Sequence, residues 1–147
     1  MDKQEFMAHV ENAYDTYEAK PENIFMFKLL DFEFDYDDEA KMCTITCPVT
    51  DIMYNPAGIV HGGIFTFIAD TAMGHLNFRH KDAPYVSLEL KTSFFQATTT
   101  GKLIATARYL KEGYKVCFME AEVKNEHGDL LCQTSGTFYR FDKNKKK

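Results

Sequence analysis

The spacing of apolar residues divides the first third of the chain into one helix and two strands. Residues 2–18 carry apolar side chains at helical spacing, which predicts an amphipathic helix that Pro21 ends. In residues 27–49, two alternating runs flank an acidic turn, a pattern typical of paired antiparallel strands. The chain is therefore predicted to begin with a helix and a hairpin.

Alternating apolar and polar residues return from Pro84 onward. Gly101, Gly113 and the turn-forming residues 125–129 interrupt this pattern, which predicts four more strands with short connections. On the first of them, one face is predicted to carry Val86, Leu88, Leu90 and Phe94. Short connections of this kind favour an antiparallel sheet.

Between the two groups of strands, residues 63–78 form a predicted helix that is apolar on most sides. Such a helix needs cover on most sides, so we expect the sheet to curl around it. The sequence contains no internal repeat and no linker that would divide it. These features predict an α+β fold, with residues 1–147 in one domain.

Composition and charge narrow the functional classes. The hydrophobic content of 45% suffices for a core, and the formal charge of −5 argues against general nucleic-acid binding. The first residues lack the apolar run of a signal peptide, and no stretch is long enough to span a membrane. We therefore expect a cytoplasmic protein, with residues 142–147 forming a disordered basic tail.

The four cysteines, at positions 43, 47, 117 and 132, do not form the C-x-x-C spacing of a zinc ribbon or a thioredoxin. Cys43 and Cys47 share the predicted inner face of a strand with Ile45, so we expect small buried thiols rather than metal ligands or redox groups. The histidines match no zinc motif, and no metal site is predicted.

One carboxylate interrupts the apolar helix. On a helical wheel it lies in a narrow stripe of small and polar residues, predicted to face away from the sheet: Gly63, Thr66, Asp70, Gly74 and Asn77. Two interpretations remain open. The stripe is either the solvated edge of a surface helix, or a contact surface for a second subunit with Asp70 as a partly buried working group. Asp and Gly are poor helix formers, whereas an ordinary exposed face would favour Glu, Lys or Ala.

The residues before the helix add a second chemical feature. Residues 55–58, Asn-Pro-Ala-Gly, have turn composition, and two glycines follow His61. Glycines at a helix start leave backbone N–H groups free at the positive end of the helix dipole, where they can hold a developing oxyanion. With a carboxylate about two helical turns away, the segment contains the parts of an acyl-transfer site.

The motif N-x-x-G-x-x-H-G-G-x-x-x-x-x-x-D resembles the signature of hotdog-fold acyl-CoA thioesterases of the phenylacetate-pathway (PaaI-like) type. It is formed here by Asn55, Gly58, His61, Gly62, Gly63 and Asp70. The similarity extends over about residues 28–140. It implies the hotdog arrangement, in which an antiparallel sheet of about five to six strands wraps a long central helix.

The resemblance implies a role for each matched residue in thioester hydrolysis. The Gly62 backbone N–H would polarise the thioester carbonyl, and Asp70 would act as general base or as nucleophile. Asn55 would hold the carbonyl or the attacking water, and Ser87 would position that water. His61 would support the loop or lie near the leaving sulfur. The predicted substrate-binding residues are Gly63 and Thr71.

The resemblance also implies an oligomer. In this family each site lies across a dimer interface, with the aspartate supplied by the partner subunit, and dimers often pair into tetramers. No cofactor is implied, because coenzyme A enters as part of the substrate. Its phosphates need basic partners, for which the candidates are Arg79, Lys81, Lys91, Lys111, Lys115 and the C-terminal lysines.

The chain departs from the family pattern in two places. Residues 94–97 lack the usual proline, and His75 stands in the helix where an apolar residue is more usual. The acyl group is therefore not predicted. A non-catalytic acyl-CoA-binding protein stays open as an alternative. Hydration or dehydration of an acyl thioester is a further one, although no suitable Asp/His pair is present. No Gly-x-Ser-x-Gly elbow is present, which argues against a serine hydrolase.

Overall fold

The computed structural model describes residues 1–142, so most of the predicted C-terminal tail lies outside it. The helices are α1 (Lys3–Thr16), α2 (Phe25–Leu29) and α3 (Gly62–His80). The strands are β1 (Glu33–Asp37), β2 (Met42–Pro48), β3 (Tyr85–Phe94), β4 (Lys102–Lys111), β5 (Val116–Lys124) and β6 (Leu130–Arg140). Among the described residues, no helix is long and apolar enough to cross a membrane.

The six strands form one antiparallel sheet in the order β1-β2-β4-β5-β6-β3. Helix α3 packs on one face of this sheet and contacts every strand from β2 to β6. Its buried residues Ile68, Met73 and Leu76 meet buried side chains of the strands, such as Ile45 and Met119. The predicted α+β fold with a sheet around one long helix is confirmed.

An aromatic cluster covers another side of α3. Phe27 of α2 lies with its ring centroid 5.4 Å from that of Phe34 on β1 and 6.2 Å from that of Phe67 on α3. The prediction that residues 27–30 begin a strand is wrong, because β1 starts only at Glu33. Periodicity does not separate a short apolar strand from a short buried helix.

The predicted alternation along β3 is also wrong. The pairing of β3 with β6 shifts between Ser87 and Glu89, which leaves Leu88 as the extra residue of a β-bulge. Because of this extra residue, Ser87 and Thr92 both face α3 although they are five positions apart. The four apolar residues predicted to share one face therefore do not share it.

The N-terminal helix and the cysteines agree with the sequence predictions. Helix α1 begins with a capping box, in which Asp2 and Glu5 bond each other's backbone N–H groups, and it ends two residues earlier than predicted. All four cysteines are free and buried. Burial raises the pKa of the Cys43 and Cys47 thiols to about 12, so both are unreactive.

Candidate functional site

Helix α3 starts at Gly62 because His61 caps it. The Nδ1 atom of His61 accepts the Gly63 backbone N–H at 2.8 Å, so this ring nitrogen carries no proton. The Gly63 N–H is therefore occupied, contrary to the expectation that both glycine N–H groups are free. Within residues 1–142 the Gly62 N–H donates to no protein group, which leaves it available to a ligand at the positive helix end.

Gly62 lies directly against an aromatic ring. A Cβ atom added to Gly62 would lie 3.1 Å from Cζ of Phe94, closer than most Cβ contacts in folded proteins. Phe65 supports that ring in a T-shaped arrangement, with the two ring centroids 6.2 Å apart. The glycine therefore lets the Phe94 ring of β3 approach the start of α3 closely, and a side chain here would require that ring to shift.

Asn55 and Gly62 line the same cavity, of about 290 Å³, together with Phe65, Phe94 and Gln96. The Asn55 Oδ1 atom accepts the Ala57 backbone N–H at 2.9 Å, which closes the turn predicted at residues 55–58. The side-chain NH₂ group is therefore what Asn55 offers to a ligand in this cavity.

Asp70 lies on α3, two helical turns after Gly62, and its side chain is partly buried where α3 faces β3. Burial raises the pKa of its carboxyl, and the approach of the Ser87 hydroxyl offsets part of that rise, since a donor stabilises the charged form. The prediction that Asp70 faces away from the sheet is wrong. The wheel shows which residues share a side of the helix, but not that the edge strand β3 curls over that side.

The stripe around Asp70 makes specific polar contacts with the sheet. The Thr66 Oγ1 atom lies 3.0 Å from Oγ1 of Thr92, which lies 2.9 Å from Oγ1 of the buried Thr134. At the far end, Asn77 is buried and its Oδ1 accepts the Tyr109 hydroxyl at 3.0 Å. Sequence reasoning missed Thr92 and Thr134, whose only signal is a hydroxyl on an inward strand position.

The predicted site residues fall into two groups in the single chain. Asn55, His61 and Gly62 lie at the N-terminal end of α3, while Asp70 and Ser87 lie near its middle. Gly62 and Asp70 are eight residues apart, a rise of about 12 Å along the helix. A carbonyl bound to the Gly62 N–H is therefore out of reach of the Asp70 carboxylate in the same chain.

The two residues assigned to substrate binding offer no free donor. The Thr71 hydroxyl donates to the backbone carbonyl of Phe67 at 2.7 Å, and the Gly63 N–H is taken by His61. Their contact with substrate stays a prediction.

Two of the candidate phosphate partners are already paired within the chain. Arg79 forms two hydrogen bonds with the Asp38 carboxylate, at 2.9 and 2.8 Å. Lys81 lies 2.9 Å from Glu112, and its side chain is only 11% exposed. Three other candidates, Lys91, Lys111 and Lys115, are exposed.

Known proteins match much of the part of the chain that contains the candidate site. A family model described as "Thioesterase superfamily" matches residues 57–132, a range that includes Gly62, Asp70 and Ser87. A Vibrio cholerae protein named "Putative esterase" is 32% identical over 90 residues. That match covers 59% of this chain and 59% of the relative, so it spans less than two thirds of the relative's length.

Solved structures share the whole fold. A Bacillus halodurans protein solved with CoA superposes with a TM-score of 0.86, covering 98% of this chain and 97% of its own, at 19% identity. A phenylacetic acid degradation-related protein from Ralstonia eutropha gives a TM-score of 0.74, covering 89% and 98%, at 23% identity. The hotdog fold expected from the sequence is confirmed.

Proposed function

Because this chain belongs to the thioesterase superfamily, we propose that it hydrolyses acyl thioesters and that its substrate is an acyl-CoA. The observation that carries the proposal is the Asp70 carboxylate, which is partly buried beside the Ser87 hydroxyl on the helix that presents the free Gly62 N–H. A base, a hydroxyl that orients water and an oxyanion donor are sufficient for this reaction, because a thioester carbonyl is already reactive.

In the proposed reaction Asp70 removes a proton from a water molecule that Ser87 orients. The water oxygen attacks the thioester carbon. The carbonyl oxygen becomes an oxyanion, which accepts a hydrogen bond from the Gly62 backbone N–H. Collapse of this intermediate breaks the C–S bond, and the leaving thiolate takes up the proton. A raised pKa suits Asp70 as a general base, and one preorganised oxyanion donor contributes about 10²–10³ in rate. Direct attack by Asp70, through a transient anhydride, is the alternative form of the same proposal.

We further propose that the site forms between two copies of the chain paired along β3. Within residues 1–142, β3 bonds to β6 on one side only. Two-fold pairing along the other side sets the two α3 helices antiparallel, since each helix packs on its own β3. Within one copy, Asp70 lies beside Ser87, and Gly62 lies beside Phe94. A two-fold axis that crosses β3 midway between Ser87 and Phe94 would therefore bring Asp70 of one copy to Gly62 of the other.

The cavity around Asn55 and Gly62 is the proposed entrance for the coenzyme A arm. It opens at the donor end of α3, opposite the carboxylate of the second copy, and its NH₂ and N–H donors can bind the thioester carbonyl. The Bacillus halodurans protein of the same fold was solved with CoA, which supports a CoA thioester as substrate.

The test is release of free thiol from a panel of acyl-CoAs, with wild type, Asp70→Asn and Asp35→Asn. Asp35 is an exposed carboxylate on β1, so its variant is the matched control. We expect Asp70→Asn to lower kcat by about 10²-fold or more, and Asp35→Asn to remain near wild type. Near wild-type turnover in Asp70→Asn would contradict the proposed role. Tight acyl-CoA binding without any turnover in wild type would identify a binding protein instead.

A further inference from the structure

Three threonine hydroxyls form a chain from the sheet to helix α3. Oγ1 of the buried Thr134 on β6 lies 2.9 Å from Oγ1 of Thr92 on β3, which in turn lies 3.0 Å from Oγ1 of Thr66 on α3. Thr66 lies one helical turn after Gly62 and one turn before Asp70. The chain of hydroxyls therefore ends between the two groups of predicted site residues.

The hydrogen bonds of this chain run in one direction. Within residues 1–142, Thr92 is the one hydrogen-bond partner of the Thr134 hydroxyl, so the buried Thr134 hydroxyl donates its proton to Thr92. Each hydroxyl has a single proton, and Thr92 therefore donates its own to Thr66. Because Thr66 accepts this bond, its own proton needs an acceptor outside the chain of hydroxyls.

The proton of the half-buried Thr66 hydroxyl has only a poor acceptor in its own copy. Within residues 1–142, its remaining contact is the backbone carbonyl oxygen of Gly62, at 3.4 Å, whereas a hydroxyl hydrogen bond usually measures about 2.7–2.8 Å. This contact shows that the hydroxyl leans back towards Gly62, as helical side chains do. Hydrogen bonds in a chain also polarise one another, which makes Thr66 a stronger donor than an isolated threonine.

The proposed pairing along β3 brings a strong acceptor to this donor. Gly62 of one copy faces Asp70 of the other, and Thr66 lies midway between these two positions, so the two-fold axis crosses α3 beside Thr66. The Asp70 side chain leans towards the start of its own helix, as the Thr66 side chain does. Because the two α3 helices are antiparallel, Thr66 of one copy and Asp70 of the other lean towards each other.

We propose that the Thr66 hydroxyl donates a hydrogen bond to the Asp70 carboxylate of the second copy and so holds that base opposite the Gly62 N–H. The inference rests on the proposed thioester hydrolysis and on the pairing along β3. Thr66 is a positioning residue, since it acts on the thioester only through Asp70. A carboxylate has about four lone-pair positions, so Asp70 can accept both Ser87 of its own copy and Thr66 of the other and still take a proton from water.

The first arm of the test removes the hydroxyl and keeps the shape of the side chain. We expect Thr66→Val to lower kcat about tenfold and to change KM less than about twofold, because the lost bond orients the base and does not hold the substrate. Thr66→Ser keeps the hydroxyl and should keep at least about half of the wild-type kcat. The substrate is the one that wild type hydrolyses fastest among acetyl-CoA, hexanoyl-CoA, benzoyl-CoA and palmitoyl-CoA.

The matched control breaks another pair of threonine hydroxyls. Oγ1 of Thr106 lies 3.1 Å from Oγ1 of Thr44, on the face of the sheet away from α3. Thr106→Val should therefore leave kcat near wild type. Equal losses in Thr66→Val and Thr106→Val would mean that breaking any such pair slows the enzyme, and would overturn the proposal.

The second arm removes the donor behind Thr66, and it decides the question if Thr66→Val does not fold. Thr92→Val leaves Thr66 without the bond that directs its proton away from the sheet, so we expect kcat to fall about threefold. In the double variant, Thr92→Val should add nothing to the loss caused by Thr66→Val, because Thr92 acts only through Thr66. A further loss in the double variant would contradict this order of action.

The third arm tests whether Thr66 acts on the other copy, by refolding Thr66→Val together with Asp70→Asn. In a mixed dimer, the remaining Asp70 belongs to the Thr66→Val chain and meets the intact Thr66 of its partner. We expect about one quarter of the wild-type activity, since half of the dimers are mixed and each holds one complete site. If Thr66 acted on Asp70 of its own chain, only about one twentieth would remain, the mean of the separate variants.

The two proposals fail in different ways. If wild type hydrolyses none of the acyl-CoAs, the proposed function is wrong and the inference falls with it. If wild type is active and Thr66→Val keeps its kcat, the function stands and the hydrogen bond to Asp70 is excluded. A loss in Thr66→Val that appears together with monomers in sedimentation would assign Thr66 to assembly and would likewise overturn the inference.

Discussion

The two edges of the sheet differ in length and in chemistry. Strand β1 has five residues, and its outward side chains are charged: Glu33, Asp35 and Asp37. Strand β3 has ten residues, and Leu88 and Phe94 on it are 64% and 55% exposed. Short, charged edges resist pairing with another strand, whereas long apolar edges invite it.

This difference favours β3 as the edge that serves the proposed site. Both halves of the candidate site lie along β3, with Phe94 against Gly62 and Ser87 beside Asp70. The acidic edge at β1 carries none of the predicted site residues. The proposed second copy therefore pairs with the edge that is apolar and that carries both halves of the candidate site, which are too far apart in one chain to act on the same carbonyl.

A charge on the β3 edge should have the largest effect. Leu88→Asp places a carboxylate on the edge where the second copy is proposed to pair. We expect monomers, and a loss of about 10²-fold or more in kcat/KM, because each Asp70 loses the partner's oxyanion donor. Sedimentation and thiol release measure both effects. The reverse exchange on β1, Asp35→Leu, should leave both near wild type, and dimers in Leu88→Asp would exclude β3 as the interface.

Mixing two inactive variants sharpens the comparison further. Asp70→Asn lacks the base, and Gly62→Pro lacks the N–H donor at a position where a helix tolerates proline. After unfolding and refolding together, about one quarter of the wild-type activity should return, since half of the dimers are mixed and each holds one intact site. Activity no higher than that of the separate variants would place both groups of one site in the same chain.

A smaller effect is expected from Gly62→Ala, which keeps the N–H but adds the Cβ atom that meets Phe94 at 3.1 Å. The Phe94 ring has to shift by a few tenths of an ångström. A displacement of 1 Å lowers the catalytic rate about 10²-fold, so for this smaller shift we expect kcat/KM to fall about threefold to tenfold. Combining it with Phe94→Leu should restore part of this loss. No recovery in the double variant would mean that the contact with Phe94 is not the cause.

The smallest effect concerns stability and pH. Burial raises the pKa of Asp70 above 3.8, so the folded protein binds this proton more tightly than the unfolded chain does. The stability that Asp70 contributes is therefore full below pH 3.8 and lost as the pH rises through the folded pKa. Asp70→Asn should raise Tm at pH 7, with a difference that shrinks towards pH 4. Asp35→Asn should show no such trend. A lower Tm for Asp70→Asn than for wild type at pH 7 would contradict the predicted destabilising effect of the buried charge.

The sequence predicted the long helix, the strands after Pro84 and the family, because periodicity and the His-Gly-Gly motif are local signals. It did not predict α2, since a short apolar run has no distinctive period. Nor did it predict the bulge at Leu88, because one extra residue in a strand depends on the partner strand.

The sequence predicted which residues belong to the candidate site, but not how the fold arranges them. A helical wheel grouped Asp70 with Gly74 and Asn77, but which strand covers that group depends on long-range packing. The capping bond from Gly63 to His61, which leaves Gly62 as the available donor, depends on the rotamer of one side chain. Such details follow from the three-dimensional fold.

The bulge at Leu88 makes the register of β3 as important as its composition. If β3 kept Leu88 but paired with β6 without a bulge, strict alternation would turn Ser87 away from α3, while Thr92 kept its place against Thr66. Every residue of the motif from Asn55 to Asp70 would remain. A relative with such a regular strand would still be assigned to the same superfamily by its sequence, although its carboxylate would have lost the hydroxyl that orients water.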